Sequence, residues 1–177
     1  MAEHIAPLLG EDEIAKRVGE IALEITNDYK GTHVTLLGTL TGAVYFLTDL
    51  SRKINLPQEI DFLKASSYGD GTTSSGDVRL SLAPALQIEG RHVILIEDIV
   101  DTGHTSHYLM DFLELQNPAS LKLCSLLSKP ERRIIQDIRI DYLGFTIPDE
   151  FVIGYGLDFA QKYRNLPFIG VLRNEVT

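Results

Sequence analysis

Two adjacent carboxylates, Glu97 and Asp98, follow an apolar run and precede a turn rich in small hydroxylated residues. The full segment is Val93-Ile94-Leu95-Ile96-Glu97-Asp98-Ile99-Val100-Asp101-Thr102-Gly103-His104-Thr105. Its second half suits a phosphate monoester. Gly103 lets the backbone approach closely, Thr102 and Thr105 offer hydroxyls, and a helix start presents unpaired amides, that of His104 among them. Glu97 and Asp98 are acceptors fitted to vicinal hydroxyls of a sugar or, through water, to magnesium. Asp101 falls between these acids and the phosphate cradle, within reach of a reacting heterocycle as a base. Acids ahead of a helix also simply complement its dipole, but that accounts for one or two positions and leaves the rest of the pattern unexplained. The other phosphate signatures, Gly-x-x-x-x-Gly-Lys-Ser/Thr and Gly-x-Gly-x-x-Gly, are absent from the chain.

Such a turn needs elements to hold it. Residues 92–96 read as a central parallel strand covered on both faces, and residues 105–115 as the helix after it. Ile14, Val18, Ile21, Ala22 and Ile25 recur on one helical face between residues 11 and 30. Residues 33–38 read as a strand, 41–54 as a helix and 60–65 as a strand. Residues 66–77 are polar and glycine-rich, with Tyr68 their one apolar anchor. Val78, Leu80 and Leu82 alternate as in a half-exposed strand; residues 120–127 read as a buried strand, and 141–147 and 151–155 as the last two. Strands alternating with helices give an α/β fold, a mostly parallel central sheet flanked by helices, in one domain spanning residues 1–177. Ligands bind beyond the carboxyl ends of such strands, which points to the turns after residues 96 and 38.

A length of 177 residues, 44% hydrophobic and 23% charged, is ordinary for a globular chain with one continuous core. No apolar run nears the roughly 20 residues that span a bilayer, so no membrane partner is expected. The start, Met1-Ala2-Glu3-His4, has no basic region or long apolar segment, so no secretory signal is expected. Cys124 is the only cysteine, which rules out an intramolecular disulfide and suits a reducing cytoplasm. Within its apolar run Cys124 is expected to be a buried small hydrophobe rather than a nucleophile. A net charge of −9 disfavours nucleic acid as a partner. A small phosphorylated ligand then needs backbone amides, a few basic side chains or a divalent cation.

Residues 93–105 closely resemble the phosphoribosyl diphosphate (PRPP) motif of the type I phosphoribosyltransferases, and the likeness runs through nearly the whole chain in the order of that family's 6-oxopurine branch. Leu37-Gly38-Thr39-Leu40-Thr41-Gly42-Ala43 resembles the diphosphate loop, and Ser67-Tyr68-Gly69 the opening of a mobile lid over about residues 66–78. Lys129, in Leu127-Ser128-Lys129-Pro130, matches the lysine at the purine 6-oxygen. Phe151-Val152-Ile153-Gly154-Tyr155-Gly156-Leu157-Asp158-Phe159 with Tyr163-Arg164 resembles the base- and metal-binding end. The resemblance implies that family's fold, with a small hood from the chain termini and a flexible lid loop. It also implies purine salvage: transfer of the 5-phosphoribosyl group from PRPP to hypoxanthine or guanine, with Mg2+ as cofactor, giving IMP or GMP and diphosphate. Asp101 is then the general base, while Ser67 and Tyr68 close over the site and exclude water. Glu97, Asp98, Asp101, Thr102, Gly103, His104 and Thr105 hold the ribose phosphate; Leu40, Thr41, Gly42 and Arg164 meet the diphosphate. Lys129 donates to the 6-oxo group, a contact that rejects adenine, whose 6-amino group is itself a donor. Phe151 stacks on the base, Val152 and Asp158 meet its edge through backbone groups, and Glu97, Asp98 and Asp158 approach the metal. The family's dimers and tetramers imply a homo-oligomer.

One departure stands out. The family's diphosphate loop usually reads Leu-Lys-Gly, and here it is Leu40-Thr41-Gly42, without the cation. The expected consequence is weaker diphosphate binding, or heavier reliance on magnesium and Arg164. His104 and His107 lie three apart, but no third ligand at suitable spacing makes them a metal pair. Two other readings are compatible with the pattern. One is a PRPP- or nucleotide-sensing regulator without turnover; it needs a nucleic-acid surface, and the most basic stretch, residues 129–133, is short. The other is an enzyme that prefers xanthine.

Overall fold

The computed structural model, which describes residues 3–67, 78–82 and 87–174, places the apolar run of residues 92–96 in the middle of a six-stranded sheet. In chain order the elements are β1 (Glu3–Leu9), α1 (Glu11–Asp28), β2 (Val34–Thr39), α2 (Val44–Ser51), β3 (Gln58–Ser67), β4 (Val78–Leu82), β5 (His92–Val100), α3 (His104–Glu114), β6 (Ser120–Ser128), β7 (Tyr142–Thr146), β8 (Val152–Ile153) and β9 (Ile169–Asn174), with a 3-10 turn at Pro130–Arg132. The sheet order is β4-β3-β2-β5-β6-β7. The five strands from β3 to β7 run parallel, and β4 closes the edge antiparallel to β3. This is the α/β architecture that alternating strands and helices require.

Period-two alternation along the central strands feeds two cores. Leu36, Ile94 and Ile96 pack with α1 and α2, whose buried residues include Ile14, Val18, Ile21, Ile25, Phe46 and Leu50. Leu37, Val93 and Leu95 pack with Leu109 and Leu113 of α3. Each such fully buried side chain contributes about 1.5–3 kcal/mol relative to exposure. α1 carries Glu11, Asp12 and Glu13 in its first turn, where acids complement the helix dipole. Cys124 is fully buried, and burial pushes its thiol pKa far upward, which keeps it out of nucleophilic chemistry. A second, antiparallel sheet, β1-β9-β8, joins the two ends of the chain and is the hood.

Three expectations need correction. β5 does not end before the acids; it continues to Val100, because β6 keeps pairing with it through Glu97↔Ser125, Ile99↔Leu127 and Val100↔Ser128. Glu97 and Asp98 are therefore strand residues on opposite faces of the sheet. α2 is shorter than the helix read over residues 41–54, because the chain up to Ala43 is used in a turn that packs Gly42 against Asp98. Residues 151–155 form only the two-residue β8, which pairs with β9 in the hood and not with the central sheet. Tyr68 and the other residues of 68–77, most of the expected lid, lie outside the described residues.

Candidate active site

Beyond the carboxyl ends of the parallel strands lies a cleft of about 370 Å³, lined by Asp98, Ile99, Asp101, Lys129, Arg132, Phe151, Val152, Leu157 and Asp158. That volume falls inside the range of roughly 300–1,000 Å³ common for small-molecule sites. The lining comes from distant stretches of chain. β5 supplies Asp98 and Ile99, the turn after it Asp101, the residue after β6 Lys129, the 3-10 turn that follows it Arg132, and the hood and its loop the rest.

At one side of this cleft stands the phosphate turn. Gly103 has φ +93°, and a Cβ there would stand 2.5 Å from Ile138 Cδ1 and 3.2 Å from Arg133 Cδ, so the turn needs glycine both for backbone hand and for space. The amides of Ile134 and Ile135 donate to the Thr102 carbonyl at 2.9 and 3.1 Å and brace the turn from outside. No side chain caps α3 at its start. Thr102, Gly103, His104 and Thr105 thus occupy the positive end of an 11-residue helix whose first amides are open to an anion.

The two acids of β5 do different things. Glu97 is 3% exposed; its Oε2 accepts a hydrogen bond from Ser106 Oγ of α3 at 2.8 Å, and Oε1 finds no hydrogen-bond partner among the described residues. Burial pushes its carboxyl up to about 8, with Ser106 pulling the other way and Asp98 adding repulsion. Asp98, on the opposite face, lies against Gly42: a Cβ on Gly42 would stand 2.5 Å from Asp98 Cγ. Burial raises Asp98 to about 6, opposed by the backbone amides of Asp98 and Ile99 and by Arg164, and aided by Asp158. Arg164 pairs with Asp158 at 2.7 Å and donates to the Gly156 carbonyl at 2.7 Å. Asp98, Asp158 and Arg164 therefore share one electrostatic neighbourhood beside the loop of residues 40–42, in which the Leu40–Thr41 peptide is cis and Thr41 is exposed.

Asp98 and Asp158 are the carboxylates that can meet a hard cation here. Two crowded acids, one raised by desolvation, gain when a cation neutralises them. Magnesium commonly takes one or two carboxylates and completes its shell with water and substrate phosphate. No cluster of three or more His, Cys, Asp or Glu among the described residues offers an all-protein cage. Glu97, held against Ser106, is not brought to this pair.

On the other side of the cleft, Lys129 is 5% exposed, with Nζ 3.8 Å from Asp149 Oδ1. Phe151 is 53% exposed, and Phe159 meets it edge-on, ring centres 5.8 Å apart at 84°. Val152, the next residue, is buried in β8. Ser67 is the last residue of β3, and Tyr68 falls outside the described residues. Arg132 and Asp149 escaped sequence reasoning, and Phe159 entered it only as the end of the motif of residues 151–159. Arg132 was visible only as part of a short basic stretch, and nothing in the spacing of Asp101, Arg132 and Asp149 signals that parallel strand ends bring them together.

The model of the phosphoribosyl transferase domain matches residues 8–160. A hypoxanthine phosphoribosyltransferase of Haemophilus influenzae is 44% identical over 170 residues, covering 94% of this chain and 94% of that protein. A bifunctional TilS/HprT protein of Listeria monocytogenes is 45% identical over 169 residues, 96% of this chain, which spans only 26% of that longer relative. Among solved structures, a hypoxanthine-guanine phosphoribosyltransferase of Bacillus anthracis, with a HEPES molecule in its active site, superposes with a TM-score of 0.91 at 44% identity, covering 96% of this chain and all of that one.

Proposed function

This chain belongs to the phosphoribosyltransferase family, and on that footing we propose that it is a purine-salvage enzyme joining hypoxanthine or guanine to the 5-phosphoribosyl group of PRPP. The products are IMP or GMP and diphosphate. One observation carries the base assignment: a buried lysine, a half-exposed phenylalanine and an aspartate line a single cleft next to an uncapped helix start.

The 5′-phosphate takes the amides and hydroxyls of residues 101–105. Asp98 accepts from the ribose hydroxyls, and the diphosphate lies against residues 40–42 with Arg164 on its oxygens. The purine stacks on Phe151 between the backbone groups of Val152 and Asp158, its 6-oxo oxygen toward Lys129 and its imidazole edge toward Asp101. A bond forms from a purine ring nitrogen to the anomeric carbon as the bond from that carbon to diphosphate oxygen breaks. Positive charge grows on the ribose and is offset by Asp98. The imidazole proton, acidified as its ring becomes electron-poor, passes to or is shared with Asp101. Asp98 and Asp158 would hold Mg2+, directly or through water, and the ion would supply charge neutralisation for the departing diphosphate. Glu97 supports the turn through Ser106 and does not reach the reactants in this arrangement.

We place the reaction in a single domain, in a dimer or tetramer, in the cytoplasm; no helix among the described residues is long and apolar enough to cross a membrane. The deciding experiment mixes purified protein, magnesium and PRPP with hypoxanthine, guanine, xanthine or adenine and follows nucleotide by ultraviolet absorbance. Product from hypoxanthine and guanine is expected. Product from adenine alone would overturn the role of Lys129, and no product from any base would overturn the enzyme reading in favour of a ligand-sensing one.

A further inference from the structure

Asp101 has one oxygen shut away from solvent. Its Oδ1 is buried and accepts no hydrogen bond from the described residues, although the side chain as a whole is 37% exposed. The exposure is therefore carried by the remaining atoms of the side chain. What faces Oδ1 is a cation: Arg132 Nε stands 3.1 Å away. The same guanidinium extends in the other direction, with Nη1 3.5 Å from Asp149 Oδ1. That oxygen is also the one 3.8 Å from Lys129 Nζ. Four charged groups thus form a chain, Asp101–Arg132–Asp149–Lys129, of which Asp101, Arg132 and Lys129 line the cleft. Its two ends are the groups that meet opposite polar edges of a purine.

We propose that Arg132, tied back by Asp149, is a positioning residue: it turns one oxygen of Asp101 inward and leaves the other to take the purine proton, while Asp149 sets how far Lys129 stands from Asp101. This rests on the base-binding reading above. The physical argument is geometric. A carboxylate on a short turn has two rotamer-related oxygens, and a base works only when one of them lies within about 2.6–3.2 Å of the proton it takes. A planar guanidinium can engage two carboxylates at once through Nε and Nη1, so it fixes a spacing as well as a charge. A lysine at the same position is a point charge on a flexible stem and cannot span both partners. Stability gains little from the bridge, because Arg132 and Asp149 are each 44% exposed and such pairs are screened.

The test uses the full-length protein with Arg132→Gln, Arg132→Lys, Asp149→Asn and the double variant Arg132→Gln/Asp149→Asn. Steady-state kinetics are measured for hypoxanthine at saturating PRPP and the reverse, together with urea unfolding. Arg132→Gln is expected to lower kcat/KM for hypoxanthine about ten- to a hundredfold, the range for a misplaced catalytic group. The KM for PRPP should stay within about twofold, and the unfolding midpoint should not move. Arg132→Lys should be nearly as impaired, and the double variant less impaired than the product of the two single losses, since both changes cut one bridge while only Asp149→Asn also releases Lys129. Full recovery with lysine would overturn the proposal, because charge without span would then suffice. So would equal shifts in the two KM values, strictly multiplicative losses in the double variant, or activity that falls in step with stability. If the unaltered protein makes no nucleotide, the base-binding reading itself fails; if it does and Arg132→Gln matches it, only the positioning role of Arg132 fails.

Discussion

Replacing Lys129 by methionine should make the protein more stable and a poorer enzyme at the same time. The lysine is 5% exposed, and its ion-pair partner among the described residues, Asp149, sits 3.8 Å away and is itself 44% exposed. Burying an ammonium costs several kcal/mol even after relaxation, and a distant, half-solvated partner offsets only part of that. Methionine keeps an unbranched stem of similar length and has no charge to desolvate. Asp149 is not stranded by the change, because it keeps Arg132 and water. Exchanges of this kind stabilise by up to a few kcal/mol; about 1–2 kcal/mol is expected, read as a higher urea midpoint at constant slope. The functional loss is worked from the contact removed. A hydrogen bond from a charged donor contributes about 1.5–3 kcal/mol, which is a fall between about tenfold and about 150-fold in kcat/KM for hypoxanthine. The KM for PRPP should hold within about twofold. Unchanged hypoxanthine kinetics refutes the contact between Lys129 and the base; a lower urea midpoint refutes the desolvation argument.

Other substitutions test the remaining parts of the site. Asp101→Asn should retain PRPP binding by calorimetry while kcat drops by about 10²–10⁴; a loss confined to PRPP affinity contradicts its role as base. Thr41→Lys restores the cation missing from the diphosphate loop and should lower the KM for PRPP by up to about tenfold, the worth of one charge-assisted contact; an unchanged or higher KM removes the idea that Thr41 weakens diphosphate binding. Gly42→Ala places a Cβ 2.5 Å from Asp98 Cγ, so it should displace that carboxylate, cost about 1–3 kcal/mol of stability and raise the KM for PRPP. Wild-type melting behaviour together with wild-type kinetics would show that the loop does not depend on this close approach.

The turn at Asp101–Thr105 was legible because its chemistry is local. Glycine with positive φ, flanking hydroxyls and a helix start are all written within a few residues, and the apolar run before them reads directly as a central strand. The divergence of Glu97 and Asp98 was not legible from their acidity. It depends on β5 extending to Val100, and that extension is dictated by β6, a strand more than twenty residues downstream. Once the strand is continuous, alternation sends Glu97 to Ser106 and Asp98 to Gly42, and one of two like residues leaves the cleft. The same limit hid Arg132 and Asp149. Their meaning comes from the parallel register of β5, β6 and β7, which gathers strand ends separated by many residues. The small hood was similarly opaque to periodicity, since β8 is two residues long and finds its partner only in β9.

The charge of the whole chain and the charge of its proposed substrate conflict, and the site's pairing pattern resolves the conflict. A protein of net charge −9 has no average field to attract diphosphate or a phosphorylated sugar. Nor do three cations in and beside the cleft stand free among the described residues: Arg164 holds Asp158, Arg132 holds Asp101 and Asp149, and Lys129 faces Asp149. With Asp98 added, four carboxylates stand against three cations when all are ionised, so the site is close to neutral and slightly acidic. On the proposed reading, substrate binds by exchange of partners rather than by capture on free positive charge. Diphosphate drawing Arg164 away from Asp158 would leave that carboxylate beside Asp98, two acids in one neighbourhood. That arrangement is unfavourable unless a divalent cation enters with the diphosphate. On that reading arginine release and cation entry are coupled, and Thr41 in place of lysine strengthens the coupling, because the loop contributes no side-chain cation that could take up the diphosphate alone.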